Sequence, residues 1–182
     1  MRRGTSGCDA PSSRQRRICH RGTDLGHASA QFNMSLSGPD NAVLAKAIEL
    51  TAGKKIGLVA AAGNDGPKAK AVFPAAYDKV IAVTAVDLEK RPYRRANRGD
   101  YIDLAAPGVG VWAAASVAGA RPKSGTSFAV PFVTAAMALA RSQAPEADVQ
   151  KLLMSQAEDL GETGKDDVFG YGLLNARSIC DR

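Results

Sequence analysis

The sequence predicts an α/β fold built on a mostly parallel sheet with helices against its faces. Three observations carry that expectation. Residues 56–62 and 80–86 are nearly continuous apolar runs of strand length, the pattern of strands buried on both faces. Strand-like and helix-like segments alternate along the chain, which indicates helices layered on a sheet. From Phe128 to Ala140 only Pro131 and Thr134 interrupt the apolar residues, so this stretch reads as a buried helix, too short to span a bilayer.

Taken in order, residues 1–31 are rich in Arg, Ser, Gly and Thr without a sustained apolar period, the composition of a disordered or loosely attached segment. The folded domain is expected over 32–182. Residues 32–36 read as a short strand closed by the Ser37-Gly38-Pro39 turn signal. Asp40 suits the N-cap of a helix running to Ala52, with Gly53 as its C′ residue and Val43, Leu44, Ala47 and Ile48 as its apolar stripe. The next strand, 56–62, ends in the turn Gly63-Asn64-Asp65-Gly66. Strand, helix and strand make a βαβ unit, which calls for a right-handed parallel crossover. After the 80–86 strand, residues 87–101 form a polar loop carrying Lys90, Arg91, Arg94, Arg95 and Arg98, read as solvated surface. Residues 102–105 make a short strand stopped by Pro107-Gly108. Beyond the buried helix, Pro145 opens a final amphipathic helix with Val149, Leu152, Leu153 and Leu160 on one side.

Composition narrows the function classes. A chain of 182 residues with 45% hydrophobic residues suits one domain with a sizeable core. The net charge is +6, but residues 1–30 hold six arginines against two aspartates, so +4 of it belongs to that segment. Only Tyr93 and Tyr101 accompany the basic loop, so nucleic acid is not expected as a partner, and no apolar stretch is long enough for a membrane span, so neither is a membrane. Cys8, Cys19 and Cys180 show no Cys-x-x-Cys spacing, which argues against a zinc site or a disulfide framework. No apolar run follows the N-terminal arginines, so no secretory signal peptide is read.

The chemistry-bearing candidates are Ser127 and Asn64. Ser127 stands between Gly125 and the buried helix, where free backbone N–H groups and the helix dipole favour developing negative charge. An acyl-transfer nucleophile fits that position, and so does an ordinary serine N-cap. Asn64 follows a buried strand in a turn. A carboxamide held there can donate to an oxyanion, and Asn also suits left-handed turn backbone.

Gly125-Thr126-Ser127-Phe128-Ala129-Val130-Pro131 resembles the Gly-Thr-Ser-x-Ala-x-Pro nucleophile box of subtilisin-like serine proteases (subtilases, peptidase family S8). Asn33-Met34-Ser35-Leu36, Ala61-Ala62-Gly63-Asn64-Asp65-Gly66 and Phe73-Pro74-Ala75-Ala76-Tyr77 are similar to further boxes of that family, in its order. Ala105-Ala106-Pro107-Gly108 and Gly170-Tyr171-Gly172-Leu173-Leu174-Asn175-Ala176 continue the match, which covers residues 32–176. The resemblance implies a three-layer subtilisin-like fold with the N-terminal strands missing, and a serine endopeptidase with Ser127 as nucleophile and Asn64 as oxyanion donor. It implies a peptide or protein substrate, with Ser35, Leu36 and Ser37 as one wall of its cleft. Ala61, Ala62 and Gly63 would be the facing wall, small enough to leave room for a large side chain. It allows calcium as a ligand, although no ligand set is identified, and implies no other cofactor. Family members are usually secreted or periplasmic.

The resemblance is incomplete. The family's order is Asp, His, Ser, and its Asp and His boxes lie well upstream of the Asn-Met-Ser-Leu strand. The two histidines here, His20 and His27, stand in no His-Gly-Thr-His box, and neither Asp9 nor Asp24 stands in an Asp-x-Gly box. No triad role is carried onto them, and an N-terminal complementing segment is the implied source of both groups. Phe132 replaces a histidine common after the box's proline. The alternative is an inactive subtilase remnant that binds peptide. Two rivals fail on countable residues. An α/β-hydrolase elbow needs a His after its Ser, and none follows His27. A Lys-Thr-Gly enzyme needs Ser-x-x-Lys, which is absent.

Overall fold

The computed structural model describes residues 30–114, 119–145 and 147–180. The expected 1–31 segment, with His20, His27, Asp9, Asp24, Cys8 and Cys19, lies almost wholly outside them. The described elements run in the order β1 (Gln31–Met34), α1 (Ala42–Ala52), β2 (Gly57–Ala61), β3 (Ile81–Val86), β4 (Leu104–Pro107), β5 (Val111–Ala114), β6 (Ala120–Lys123), α2 (Thr126–Gln143), α3 (Val149–Ser155) and α4 (Arg177–Cys180). Strands β1-β2-β3-β4 form one sheet in that order, every pair parallel. Among the described residues no helix is long and apolar enough to cross a membrane.

The period-2 alternation of strand side chains explains the three layers. Val59, Ala61, Ile81, Val83, Ala85, Leu104 and Ala106 point to one face, where Ala129, Val130, Val133, Ala136, Met137 and Ala140 of α2 cover them. Leu58, Ala60 and Ala82 point to the other, where Ile48 and Leu44 of α1 pack with Val80. All of β2 and β3 is buried, and both strands are apolar but for the buried Thr84. Alanines on the sheet let helices approach closely, and each leucine, isoleucine or valine removed from water contributes roughly 1.5–3 kcal/mol.

Several local expectations are corrected. β1 stops at Met34 rather than running to residue 36, leaving Ser35, Leu36 and Ser37 exposed and outside any strand. Asn41, not Asp40, caps α1: its carboxamide oxygen accepts from the N–H groups of Val43 and Leu44. Asp40 instead accepts from the Tyr77 hydroxyl at 2.8 Å. Asn41→Ala is expected to cost about 1 kcal/mol in a denaturant melt, and an unchanged midpoint would remove the cap from this account. The stripe of α1 is rotated, with Leu44, Ile48 and Ala52 inward and Val43 80% exposed. Gly53 keeps a right-handed backbone, and the positive φ falls on Lys55.

Later elements shift as well. Residues 102–103 stay outside the strand, while Pro107 belongs to it at the sheet's margin, where no ladder N–H is required of it. The β5–β6 antiparallel hairpin was not anticipated, because Arg121, Pro122 and Lys123 give it no apolar period. Pro145 precedes α3 without opening it, Asp148 is the cap, and Leu160 lies beyond the helix.

The free edge of β4 is covered by the Gly170–Ala176 box. Ala105 N–H donates to the Gly172 carbonyl at 2.9 Å, and Leu174 N–H donates to the Ala105 carbonyl at 2.8 Å. Leu173 exchanges two 2.8 Å backbone bonds with Glu158 on its other side.

Candidate active site

The site forms where the carboxyl ends of the parallel strands meet the N-terminus of α2. Gly125 is the cap residue, buried and without a side-chain bond. Ser127 is therefore the second residue of the helix, not its cap, and the N-cap reading of this serine falls. Its N–H belongs to the first turn, whose donors have no intrahelical acceptor. Its hydroxyl lies 3.5 Å from the Ser35 carbonyl oxygen.

Pro131 explains how Ser127 is held. It interrupts the apolar run as the sixth residue of a helix that starts at Thr126. A residue there would normally donate its N–H to the carbonyl four positions back, which is that of Ser127, and proline has no N–H. The Ser35 hydroxyl takes the vacant acceptor at 3.1 Å, sharing its proton with Asn33 Oδ1 at 2.8 Å. One wall of the expected cleft is thus hydrogen-bonded to the expected nucleophile across 92 positions of sequence.

Asn64 is oriented by Thr126. The backbone N–H of Thr126 donates to Asn64 Oδ1 at 2.9 Å, and its hydroxyl lies 3.1 Å from the same oxygen. An N–H can only donate, so the carbonyl end of the carboxamide must face Thr126 and the NH₂ end is left for another acceptor. Thr126 is fully buried, and its hydroxyl also lies 3.3 Å from the Gly63 N–H. Sequence reasoning missed this residue's role, although it stood inside the quoted box.

The expected facing wall is closely packed. Ala61, Ala62 and Gly63 are buried, and Ala61 belongs to the core under α2. Only backbone is offered there, and a Cβ on Gly63 would meet Val72 and the Asn97 carboxamide. Asn97, in the loop read as solvated surface, is fully buried. It accepts from the Asp65 N–H at 2.8 Å, donates to the Lys70 carbonyl at 3.2 Å, and its own N–H donates to the Gly63 carbonyl at 3.2 Å. No signal of spacing or polarity distinguished it from its neighbours. Tyr101 fixes the same wall by donating to the Ala62 carbonyl at 2.7 Å. Burial pushes its phenol up to about 12, so it remains a donor at any ordinary pH.

The remaining boxes brace this arrangement. Phe73 exchanges two 2.9 Å backbone bonds with Gly38, fastening the 35–38 segment to the next loop. Gly108 accepts from the Gly125 N–H at 2.9 Å, and a Cβ on it would strike Ala85, Ala129 and the Gly125 carbonyl. A side chain there would push the Gly125–Ser127 turn outward. Ser127, Asn64, Ser35 and Gly63 are therefore brought together, Leu36 and Ser37 stand exposed beside them, and Ala61 and Ala62 lie beneath. No group of three or more His, Cys, Asp or Glu side chains placed to hold a metal occurs among the described residues.

Comparison with known proteins places this arrangement. The sequence profile of the Subtilase family matches residues 25–172. Subtilisin DY of Bacillus licheniformis is 36% identical over 154 residues, covering 81% of this chain and 55% of that protein. The minor extracellular protease Epr of Bacillus subtilis (strain 168) is 34% identical over 150 residues, 80% of this chain and 23% of that protein. Subtilisin Savinase of Lederbergia lenta is 30% identical over 179 residues, 96% of this chain and 64% of that protein. The chain thus spans from about a quarter to just under two thirds of these relatives. Among solved structures, the prenylagaramide maturation protease PagA matches with a TM-score of 0.70 and 29% identity, over 83% of this chain and 61% of that one.

Proposed function

The chain belongs to the subtilase family, and from that premise we propose that it carries the nucleophile and oxyanion half of a serine endopeptidase. Ser127 Oγ attacks the scissile carbonyl carbon and gives its proton to a base. The C–O bond forms, and the carbonyl oxygen takes the negative charge between the Asn64 NH₂ and the Ser127 N–H. Collapse of that oxyanion breaks the C–N bond as the amine leaves with a proton, and water then cleaves the ester. The substrate backbone lies along the exposed 35–37 segment as an added strand. The observation that carries this reading is the Thr126–Asn64 bond, which turns the amide donor away from the core and spares it for a substrate.

The base is the remaining requirement. Residues 30–182 contain no histidine, and we assign base and carboxylate to a complementing N-terminal segment. The same observation favours a second reading for the chain acting alone, as a peptide-binding or accessory fragment without hydrolysis. In an active assembly containing this chain, Asn64→Ala is expected to lower kcat by about 10²–10³ with little change in KM. That magnitude is the one known for the equivalent change in subtilisin itself and is carried over, not deduced. A raised KM with intact kcat would reassign Asn64 to ground-state binding.

A further inference from the structure

The basic loop after β3 divides into two parts once its contacts are drawn. Arg91 is held by Asp87 and Glu89, and Lys90 by Glu158, so these two cations belong to the surface of their own neighbourhood. Arg94, Arg95 and Arg98 are exposed, and among the described residues no ion pair engages them.

Backbone bonds bring that free group to the turn carrying Asn64. Gly66 N–H donates to the Arg95 carbonyl at 3.0 Å, and buried Asn97 ties the same loop to Gly63, Asp65 and Lys70. The turn adds Lys68 and Lys70, both exposed and likewise outside any ion pair of the described residues. Five cations from two distant stretches thus flank the oxyanion turn. The nearby carboxylates are Asp65 on the turn, Asp87, which lines one pocket with Arg94, and Asp100 and Asp167, where Gly99 N–H meets the Asp167 carbonyl at 2.9 Å.

We propose that this rim, formed by Lys68, Lys70, Arg94, Arg95 and Arg98, selects polypeptides bearing Asp or Glu close to the segment lying in the cleft. The inference rests on the peptidase reading of that cleft and adds to it a class of substrate. Clustered like charge beside a binding groove raises the local concentration of the opposite charge and orients it. A polypeptide fits better than a nucleic acid, because the rim offers no ring for stacking a base. Tyr93 packs against the core, and the Tyr101 hydroxyl is committed to Ala62.

The test is fluorescence anisotropy of two dye-labelled peptides on the 182-residue chain. Both carry the same apolar centre, followed by Asp and Glu in one and by Asn and Gln in the other. The acidic peptide is expected to bind about ten-fold more tightly at low salt, since each exposed pair contributes a few-fold. The preference should shrink at about 0.5 M salt. It should be lost in Arg94→Glu/Arg95→Glu and kept in Arg91→Glu, whose guanidinium is already engaged. Equal binding of the two peptides, or of neither, overturns the rim proposal. So does tighter binding of a single-stranded oligonucleotide of equal charge. Blocking the cleft with Leu36→Asp should weaken both peptides, and acidic binding indifferent to that change also overturns it. Whether the cleft reading itself stands is read separately, from Ser127 capture by a fluorophosphonate in the presence of a base-bearing segment.

Discussion

The 182-residue chain on its own is expected to hydrolyse a peptide ester no faster than its Ser127→Ala variant. A serine hydroxyl is a weak nucleophile until a neighbouring base takes its proton. Among the described residues Ser127 Oγ finds only the Ser35 carbonyl, at 3.5 Å, an acceptor too weakly basic to do so. Loss of the base in subtilisin itself costs about 10⁶ in kcat, a figure carried over from that enzyme. Such a loss leaves nothing for Ser127 to add. Saturable turnover that disappears with Ser127→Ala, in protein free of contaminating protease, would mean that the chain supplies its own base. His20→Ala and His27→Ala would then find it.

The largest stability effect is expected at Gly172. It has a φ of +117°, and a Cβ there would overlap the carbonyl carbon and oxygen of Glu158. Gly172→Ala should therefore meet backbone strain and a steric clash together, about 3–5 kcal/mol. It would prise the 170–176 strap from β4, whose Ala105 N–H depends on the Gly172 carbonyl. Gly164 is the control, with a φ of +90° and nothing within 4 Å of its would-be Cβ. In thermal unfolding Gly172→Ala should lower Tm by about 10 °C or more and Gly164→Ala by only a few degrees. Equal shifts would show that the strap is not under the packing described.

The parts of this protein that were legible in the sequence are those with a period or a box. Residues 57–61 and 81–86 announced themselves because a strand covered on both faces carries a nearly continuous apolar run, broken here only by Thr84. Ser127 and Asn64 were singled out by the boxes containing them. The hydrogen bonds that hold them were not. Thr126 stands in its box with no role assigned, and its bond to Asn64 joins positions 62 apart. Asn97 looked like one more polar residue in a basic loop, because burial of a loop side chain leaves no trace in local pattern. Pro131 reads in sequence as a mere interruption of an apolar run, whereas its consequence is a carbonyl left for Ser35. The facing wall is legible only in part: small residues at a strand end signal close packing as readily as an open pocket, and Ala61 and Ala62 are packed.

Covalent capture bears most directly on the claim that a competent nucleophile and oxyanion donor await a base. The chain, as wild type and as Ser127→Ala, would be exposed to a fluorophosphonate and read by intact mass and peptide mapping. Each would be tested alone and with a polypeptide carrying the Asp and His boxes of a subtilase. The account predicts a single adduct on Ser127, formed only with the added polypeptide and absent from Ser127→Ala. An adduct on another residue would contradict it, as would folded chain that binds the added polypeptide yet stays unlabelled.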